Sequence, residues 1–148
     1  MTVRHAPRLP DLTGRPDIER LVVTFYERAF ADALLGPIFR DVAKLDLTAH
    51  LPIMCDFWQT VLFRAGLYRR NALQVHADLH AVAPLTSEHF ARWLTLWTAT
   101  VDELFSGAKA ELAKTQASRI AYSINRRLSG EPDDRLLTIA RPARTNRT

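Results

Sequence analysis

Histidines are the residues of this chain whose type and spacing could do chemistry. Three of the five, His50, His76 and His80, lie among apolar residues with helical spacing rather than among polar ones. An imidazole that faces a protein core needs either a hydrogen-bond partner or a metal ion. For each histidine taken alone, a hydrogen bond to a nearby backbone carbonyl is the simpler interpretation, and a metal-ligating role is the alternative.

Two pairs of these histidines have positions that suggest a binding site. His76 and His80 share a helical face and could chelate zinc, but no third ligand has a fixed spacing to them, so we do not expect a structural zinc site. His50 and His76 lie on successive predicted helices, which could face each other across a flat ligand. The sequence contains no phosphate-binding glycine loop, no Gly-x-Ser-x-Gly and no His-Glu-x-x-His.

The elements that must position these side chains are predicted to be helices. The sequence has only five glycines, no Asn-Gly or Asp-Gly turn and little strict alternation, whereas apolar residues recur every three or four positions. The pattern therefore predicts an all-α fold. The predicted helices run from Pro16 to Phe30, from about Thr48 to Phe63, through Leu73 to His80, from a cap at Thr86 to Phe105, and through Leu112 to Leu128.

Breaking and capping residues mark the ends of these helices. Gly36-Pro37 is expected to stop the first helix. Thr48 is expected to cap the second helix, in which the early Pro52 could introduce a bend. Thr86 is expected to cap the fourth helix, and Gly107 is expected to end it.

The length and composition fit a single domain over residues 1–148. Of the 148 residues 47% are apolar, which is enough for a core without disulfides. We expect the folded core to span about residues 16–128, with flexible ends at 1–15 and 131–148. The single cysteine, Cys55, excludes an internal disulfide and a multi-cysteine metal module, and it suits a reducing compartment.

The charge and hydropathy patterns exclude two classes of partner. The formal net charge is +4, but the excess of basic residues lies in the two ends and forms no stripe interleaved with aromatic residues, so we expect no nucleic-acid binding. No run of about 18 apolar residues could span a membrane, and the N-terminus lacks a secretory signal, so we expect a cytoplasmic protein. Nothing in the sequence specifies an oligomeric state.

Five segments of the sequence form a recognisable pattern: Phe25-Tyr26, Leu35-Gly36-Pro37-Ile38-Phe39, His50 with Phe57-Trp58, His76-Ala77-Asp78-Leu79, and Phe90-Ala91-Arg92-Trp93-Leu94-Thr95-Leu96. In their order and spacing they resemble the truncated haemoglobins, and within that family the third group. They cover about residues 16–128, nearly the whole expected core. The glycine motifs of the other groups are missing, as the third group would lead one to expect. The resemblance implies a truncated globin fold, a helical sandwich that encloses a haem.

The resemblance also implies a set of site residues. His76 would be the proximal ligand to the iron of haem b, iron protoporphyrin IX. Tyr26, His50 and Trp93 match the family's polar distal positions, where an O–H and two N–H groups could reach a ligand on the iron. Without the resemblance, Tyr26 and Trp93 would be interpreted as core aromatics. Phe39 matches the phenylalanine that packs on the haem, and the other expected pocket-lining residues are Phe25, Met54, Phe57, Val75 and Ile120.

These expectations describe a haem protein that binds O2, NO or peroxide as small ligands. Donors aimed at the ligand stabilise its partial negative charge and slow its release. We therefore favour ligand or redox chemistry, such as an NO dioxygenase or a peroxidase-like activity, over bulk oxygen transport. Either activity needs an electron donor that the sequence does not identify. The alternative is a cofactor-free helical interaction module in which the aromatic residues only form the core.

His50 has two expected roles, and the sequence leaves both open. It could be a third hydrogen-bond donor in the pocket, or it could swing outward as a gate for the ligand. We favour the gate, because Tyr26 and Trp93 already supply donors and a third buried donor would be hard to satisfy without a ligand.

Overall fold

The computed structural model describes residues 9–42, 44, 46–64, 66, 76, 80, 81 and 85–128. Within them, four α-helices have described bounds, and a short π-helical turn lies between the first two. His76, His80 and Ala81 are also helical, and the described residues include no strand. This confirms the all-α fold class. Most of the expected helix through Leu73 to His80 lies outside the described residues. The elements are α1 (Arg15–Ala31), the π-helical turn (Ile38–Val42), α2 (Leu47–Phe63), α3 (Ser87–Leu104) and α4 (Ala108–Leu128).

Helix α1 forms where the sequence predicts it. It begins next to Pro16, whose fixed φ suits a first helical turn, and the negative charge of Asp17 is favourable near the N-terminus. Its apolar residues recur at spacings of three and four, so a single face of the helix is buried. The residues of this buried face are Ile18, Leu21, Val22, Phe25, Tyr26 and Ala29.

Helix α1 ends earlier than Gly36-Pro37, which the sequence predicts as its stop. Its C-cap is Asp32, whose carboxylate accepts hydrogen bonds from the backbone N–H groups of Leu34 (3.0 Å) and Leu35 (2.9 Å). This pattern closes a turn directly after the helix. Gly36 is required in this turn, because a Cβ there would lie 2.6 Å from a backbone carbonyl oxygen of α1. The π-helical turn that follows carries Phe39.

Helix α2 is capped by Asp46, and the expectation that Thr48 is the cap is wrong. The Asp46 carboxylate accepts hydrogen bonds from the N–H groups of Thr48 (3.1 Å) and Ala49 (3.4 Å). Both residue types can cap a helix, but only Asp46 precedes the first helical residue. The backbone N–H of His50 then donates to the Asp46 carbonyl at 2.9 Å, so His50 lies in the first turn. Pro52 lies inside the helix, as expected.

Helix α3 has the predicted cap at Thr86. Nδ1 of His89 accepts a hydrogen bond from the backbone N–H of Thr86 at 2.9 Å, as part of a capping box. The helix ends at Leu104, one residue before the predicted end and three before Gly107. Gly107 lies in the turn to α4 with φ of 136°, a conformation that side chains disfavour.

Helices α3 and α4 run antiparallel. At one end, Asn125 of α4 donates a hydrogen bond to Ser87 of α3 at 3.1 Å. At the other end, Lys114 of α4 pairs with Asp102 of α3. The two helices therefore form a pair, and α1 packs against both α2 and α3.

Asp11 and Leu12, in the segment before α1, contact the rest of the fold, and the expected flexibility of this end stays a prediction. The Asp11 carboxylate accepts hydrogen bonds from the backbone N–H groups of Lys109 and Ala110, both at 2.8 Å. The first N–H groups of a helix need such acceptors, and here a distant segment provides one. Leu12 is buried in the core. The rest of the expected flexible ends, residues 1–8 and 131–148, lies outside the described residues.

Aromatic rings fill the core between the helices. Trp58 of α2 and Trp97 of α3 stack with ring centroids 4.4 Å apart, and Phe25 of α1 meets Trp97 edge-on at 5.2 Å. The indole N–H of Trp97 donates to the backbone carbonyl of Ala113 in α4 at 3.2 Å. One indole thus contacts the three other helices. In the part of the chain that the structure describes, no helix is long and apolar enough to cross a membrane.

Candidate functional site

A tyrosine from α1 and a histidine from α2 form the polar centre of the site. The Tyr26 hydroxyl oxygen lies 3.2 Å from Nε2 of His50, within hydrogen-bond distance, and the two rings meet edge-on with centroids 5.3 Å apart. Tyr26 is buried and His50 is half-buried. Either side chain can donate in this pair, depending on the imidazole tautomer. The structure thus joins two residues that the sequence indicates separately.

Phe39 from the π-helical turn forms a wall beside Tyr26. Its ring meets that of Tyr26 edge-on at 5.7 Å and stacks on Phe30 at 5.6 Å, with the two planes 6° apart. Phe30 was not among the site residues predicted from the sequence. Its position four residues after Tyr26 puts both residues on one face of α1, and this spacing could have indicated it.

Trp93 on α3 joins the same group through Phe25. The Phe25 ring lies 5.0 Å from Tyr26 and 5.9 Å from Trp93, edge-on in both cases. We call Phe25, Tyr26, Phe39, His50 and Trp93 the Tyr26 cluster. Trp93 is half-buried, and among the described residues none accepts a hydrogen bond from its indole N–H. Because an indole N–H can only donate, this one is available to another acceptor.

The remaining expected lining residues border the core. Phe57 is buried and meets Trp58 edge-on at 5.2 Å. Met54 and Ile120 are half-buried and pack against the core. Val75 lies outside the described residues, so its expected place in the pocket stays a prediction.

His76 and His80 both make contacts within the fold. His76 is half-buried and helical. Nδ1 of His80 accepts a hydrogen bond from the backbone N–H of Leu85 at 2.8 Å. A neutral imidazole that accepts at Nδ1 carries its proton on Nε2, so His80 has no lone pair left for a metal ion. This contact disfavours His80 as a metal ligand.

An ion pair that was not predicted from the sequence lies next to the Tyr26 cluster. Nη1 of Arg92, the residue before Trp93, lies 2.8 Å from Oδ1 of Asp32 in the turn after α1. Burial raises the pKa of Asp32, but the N–H groups of Leu35 and Leu34 together with the Arg92 charge outweigh it and lower the pKa below its ordinary value. The carboxylate therefore stays ionised at neutral pH.

Cys55 is not a reactive thiol. It is 2% exposed, and burial raises its pKa to about 11. Since the thiolate is the nucleophile and the metal ligand, the protonated thiol serves neither purpose near neutral pH. Any chemistry in this part of the molecule therefore depends on other side chains.

Comparison with known proteins reveals relatives in both sequence and structure. The chain is 28% identical over 111 residues to a group 3 truncated haemoglobin of Campylobacter jejuni, an alignment that covers 73% of this chain and 85% of the relative. The crystal structure of the group III truncated haemoglobin from Campylobacter jejuni matches with a TM-score of 0.70 and 26% identity, over 79% of this chain and 92% of that chain. This chain is a relative of the group 3 truncated haemoglobins. No protein-family model matches the sequence.

The residues of this truncated-haemoglobin relative fit a haem, the cofactor that the family implies. A globin haem site needs an imidazole ligand, an apolar pocket and polar groups on the ligand side. His76 provides a half-buried imidazole, and the Tyr26 cluster provides aromatic rings. The indole N–H of Trp93 has no acceptor among the described residues, so it can donate to a bound ligand.

Proposed function

We propose that this chain is a haem protein that binds O2, NO and related small ligands. The observation that carries the proposal is the grouping of three hydrogen-bonding side chains from three helices: Tyr26 and Trp93 both meet the ring of Phe25 edge-on, and His50 lies within hydrogen-bond distance of Tyr26. A packed core has no need of polar groups at its centre, whereas a ligand pocket requires a few of them among apolar walls. The bound cofactor, which we infer to be haem b, supplies an iron that binds diatomic ligands and exchanges electrons.

His76 holds the iron in this proposal. Its half-buried position suits a ligand that must be shielded from water, and His80, one helical turn further along the chain, is engaged by the backbone N–H of Leu85. An imidazole ligand of a haem normally donates its other N–H to a nearby acceptor, which fixes the orientation of the ring. Phe39, Met54, Phe57, Val75 and Ile120 line the pocket.

Tyr26 and Trp93 act on the ligand. Each donates a hydrogen bond to the partial negative charge that a diatomic ligand gains, and each thereby slows its release. Slow release is a disadvantage for transport and an advantage for a reaction. We therefore infer NO detoxification or a peroxidase-like turnover, with electrons from a separate donor, in preference to bulk oxygen transport.

His50 acts as the gate. The lack of a partner does not exclude His50 as a third donor, because Tyr26 lies within hydrogen-bond distance of it. The gate is instead supported by burial, since His50 is half-buried beside the buried Tyr26 and can exchange that contact for solvent. Outward movement of the imidazole would open the route to Tyr26 and Trp93.

The proposal is tested by haem uptake. We expect the protein, expressed with an adequate haem supply, to show a strong haem absorption band. His76→Gly should lose most of its haem or recover it on addition of imidazole, whereas the control His80→Gly should keep it. A colourless, stably folded wild type would favour the cofactor-free interaction module. Loss of haem from His80→Gly but not from His76→Gly would show that the ligand is misassigned.

A further inference from the structure

The Asp32 carboxylate serves two elements at once. Oδ2 accepts hydrogen bonds from the backbone N–H groups of Leu34 and Leu35 and shapes the turn after α1, while Oδ1 accepts one from Nη1 of Arg92 on α3. The Asp32 side chain is 8% exposed, and that of Arg92 is 47% exposed. A nearly buried carboxylate with three donors is held firmly, because moving it would leave a buried charge unpaired.

Both residues of this ion pair are connected to the Tyr26 cluster. The backbone N–H of Phe39 donates to the carbonyl of Leu35 at 3.2 Å, so the turn that Asp32 shapes also sets where the Phe39 ring meets Tyr26. At the other end, Arg92 directly precedes Trp93 in α3. The ion pair therefore connects the two walls of the proposed pocket.

We propose that Asp32 and Arg92 are positioning residues that fix the spacing between the Phe39–Tyr26 wall and Trp93, and thereby set how fast small ligands leave the pocket. The inference rests on the proposed function. A hydrogen bond weakens steeply with small displacements. A shift of the turn relative to α3 would therefore alter how well Tyr26 and Trp93 together can donate to one ligand. Neither Asp32 nor Arg92 touches the ligand in this account.

A second ion pair, which joins α1 directly to α3 and is more exposed, provides a control. Arg28 of α1 pairs with Glu103 of α3 at 2.6 Å and also donates to the hydroxyl of Thr100 at 3.3 Å. These partners lie about two helical turns or more beyond Trp93 along α3. Arg28→Gln thus removes a contact to α3 without touching the turn that carries Phe39.

The experiment compares Arg92→Gln, Arg92→Lys and Arg28→Gln with the wild type, using the full chain loaded with haem. We expect Arg92→Gln to change the rate of O2 release by about three- to tenfold, an effect of the size known for residues that act through others. Arg92→Lys should restore most of the wild-type rate, because Arg92 contacts Asp32 through one nitrogen only. Arg28→Gln should leave the rate of O2 release unchanged, even if it lowers the melting temperature of the protein as much as Arg92→Gln does.

A second measurement follows the geometry itself. Nuclear Overhauser cross-peaks between the rings of Phe39 and Tyr26, and between those of Phe25 and Trp93, are recorded in the diamagnetic CO complex, or in the protein as purified if it holds no haem. We expect Arg92→Gln to weaken them and Arg28→Gln to preserve them. Unaltered cross-peaks in Arg92→Gln, or equal changes in O2 release for Arg92→Gln and Arg28→Gln, overturn the inference. Failure to take up haem overturns the proposed function instead, and the cross-peaks then still decide whether Arg92 positions Phe39.

Discussion

The Tyr26 hydroxyl has a single proton to donate, and in this structure it lies opposite Nε2 of His50. A ligand in the proposed pocket must compete with that imidazole for the proton, whereas the indole N–H of Trp93 has no such competitor among the described residues. At the scale of single residues, the two donors are therefore unequal: Trp93 is available at once, and Tyr26 becomes available when His50 moves away.

We expect Tyr26→Phe and Trp93→Phe to speed O2 release. A hydrogen bond to a partly charged ligand is worth roughly 1.5–3 kcal/mol, which corresponds to about one to two orders of magnitude in the dissociation rate. Stopped-flow displacement of O2 measures the rate. Tyr122→Phe is the control, since Tyr122 is 46% exposed on α4 and should leave the rate as it is. An unchanged rate of O2 release in both Tyr26→Phe and Trp93→Phe would show that neither residue donates a hydrogen bond to the ligand.

We expect His50→Ala to raise the rates of ligand association and dissociation together, because removal of a gate lowers the barrier in both directions. Flash photolysis measures association, and stopped flow measures dissociation. The result that contradicts the gate is an unchanged association rate with faster dissociation, which would make His50 a third donor. Tyr26→Phe separates the two roles, since it should accelerate dissociation without a matching change in association.

At the scale of elements, caps decide where each functional side chain lies. The carboxylate of Asp46 fixes the first turn of α2, and with it the position of His50. Had Thr48 been the cap, the helix would begin two residues later and His50 would lie closer to its end. The start of α2 is therefore part of how the site is built.

We expect Asp46→Ala to lower the free energy of unfolding by about 1 kcal/mol, the usual cost of losing an N-cap. Thr48→Ala is the matched control, because Thr48 is exposed and its side chain is not the cap, and it should change stability by no more than about 0.5 kcal/mol. Urea unfolding of both variants checks the difference. Equal losses would mean that the cap is shared between the two residues.

For the whole molecule, two carboxylates link stability to pH. The pKa of Asp11 is lowered despite its burial, because the N–H groups of Lys109 and Ala110 stabilise the charged form, and the pKa of Asp32 is lowered in a similar way. The folded state therefore binds protons at these groups less readily than the unfolded chain does. Their contribution to stability is present above about pH 4 and is lost as the pH falls further.

We accordingly expect the free energy of unfolding to fall between about pH 5 and pH 3, and to fall less steeply in the double variant Asp11→Asn, Asp32→Asn. Urea unfolding at a series of pH values gives the slope. Asp102→Asn is the control, because that carboxylate is exposed on α3, where it pairs with Lys114. A double variant with the wild-type slope would contradict the assignment.

The helices could be predicted from the sequence where a single pattern or a single capping residue determines the face or the start of a helix. The spacing of Ile18, Phe25 and Ala29 fixes the buried face of α1, and Thr86 caps α3 as predicted. The start of α2 was not predictable with the same certainty, because Asp46 and Thr48 are both good caps. The same holds for the site: the resemblance to the truncated haemoglobins indicated its residues, but the contact of Tyr26 with His50 depends on how α1 packs on α2.

The long-range contacts of charged residues were not predicted from the sequence. Asp32 and Arg92, like Asp11 and Lys109, are ordinary surface residue types whose partners lie far along the chain. No local pattern distinguishes them from solvated charges, and their role exists only once the helices are packed. These two contacts are also the ones that act on the ends and turns of the helices.

The contact between Asp11 and α4 has a consequence for the lifetime of the folded protein. It joins residues 98 and 99 positions apart, so its formation requires most of the chain to be in place. We expect it to form after the folding transition state: Asp11→Ala should leave the refolding rate nearly unchanged and speed unfolding about fivefold for a loss of about 1 kcal/mol. Refolding and unfolding rates measured against urea concentration test this, and slower refolding would place Asp11 in the nucleus. The segment before α1 would then govern how long the folded molecule survives rather than how quickly it forms.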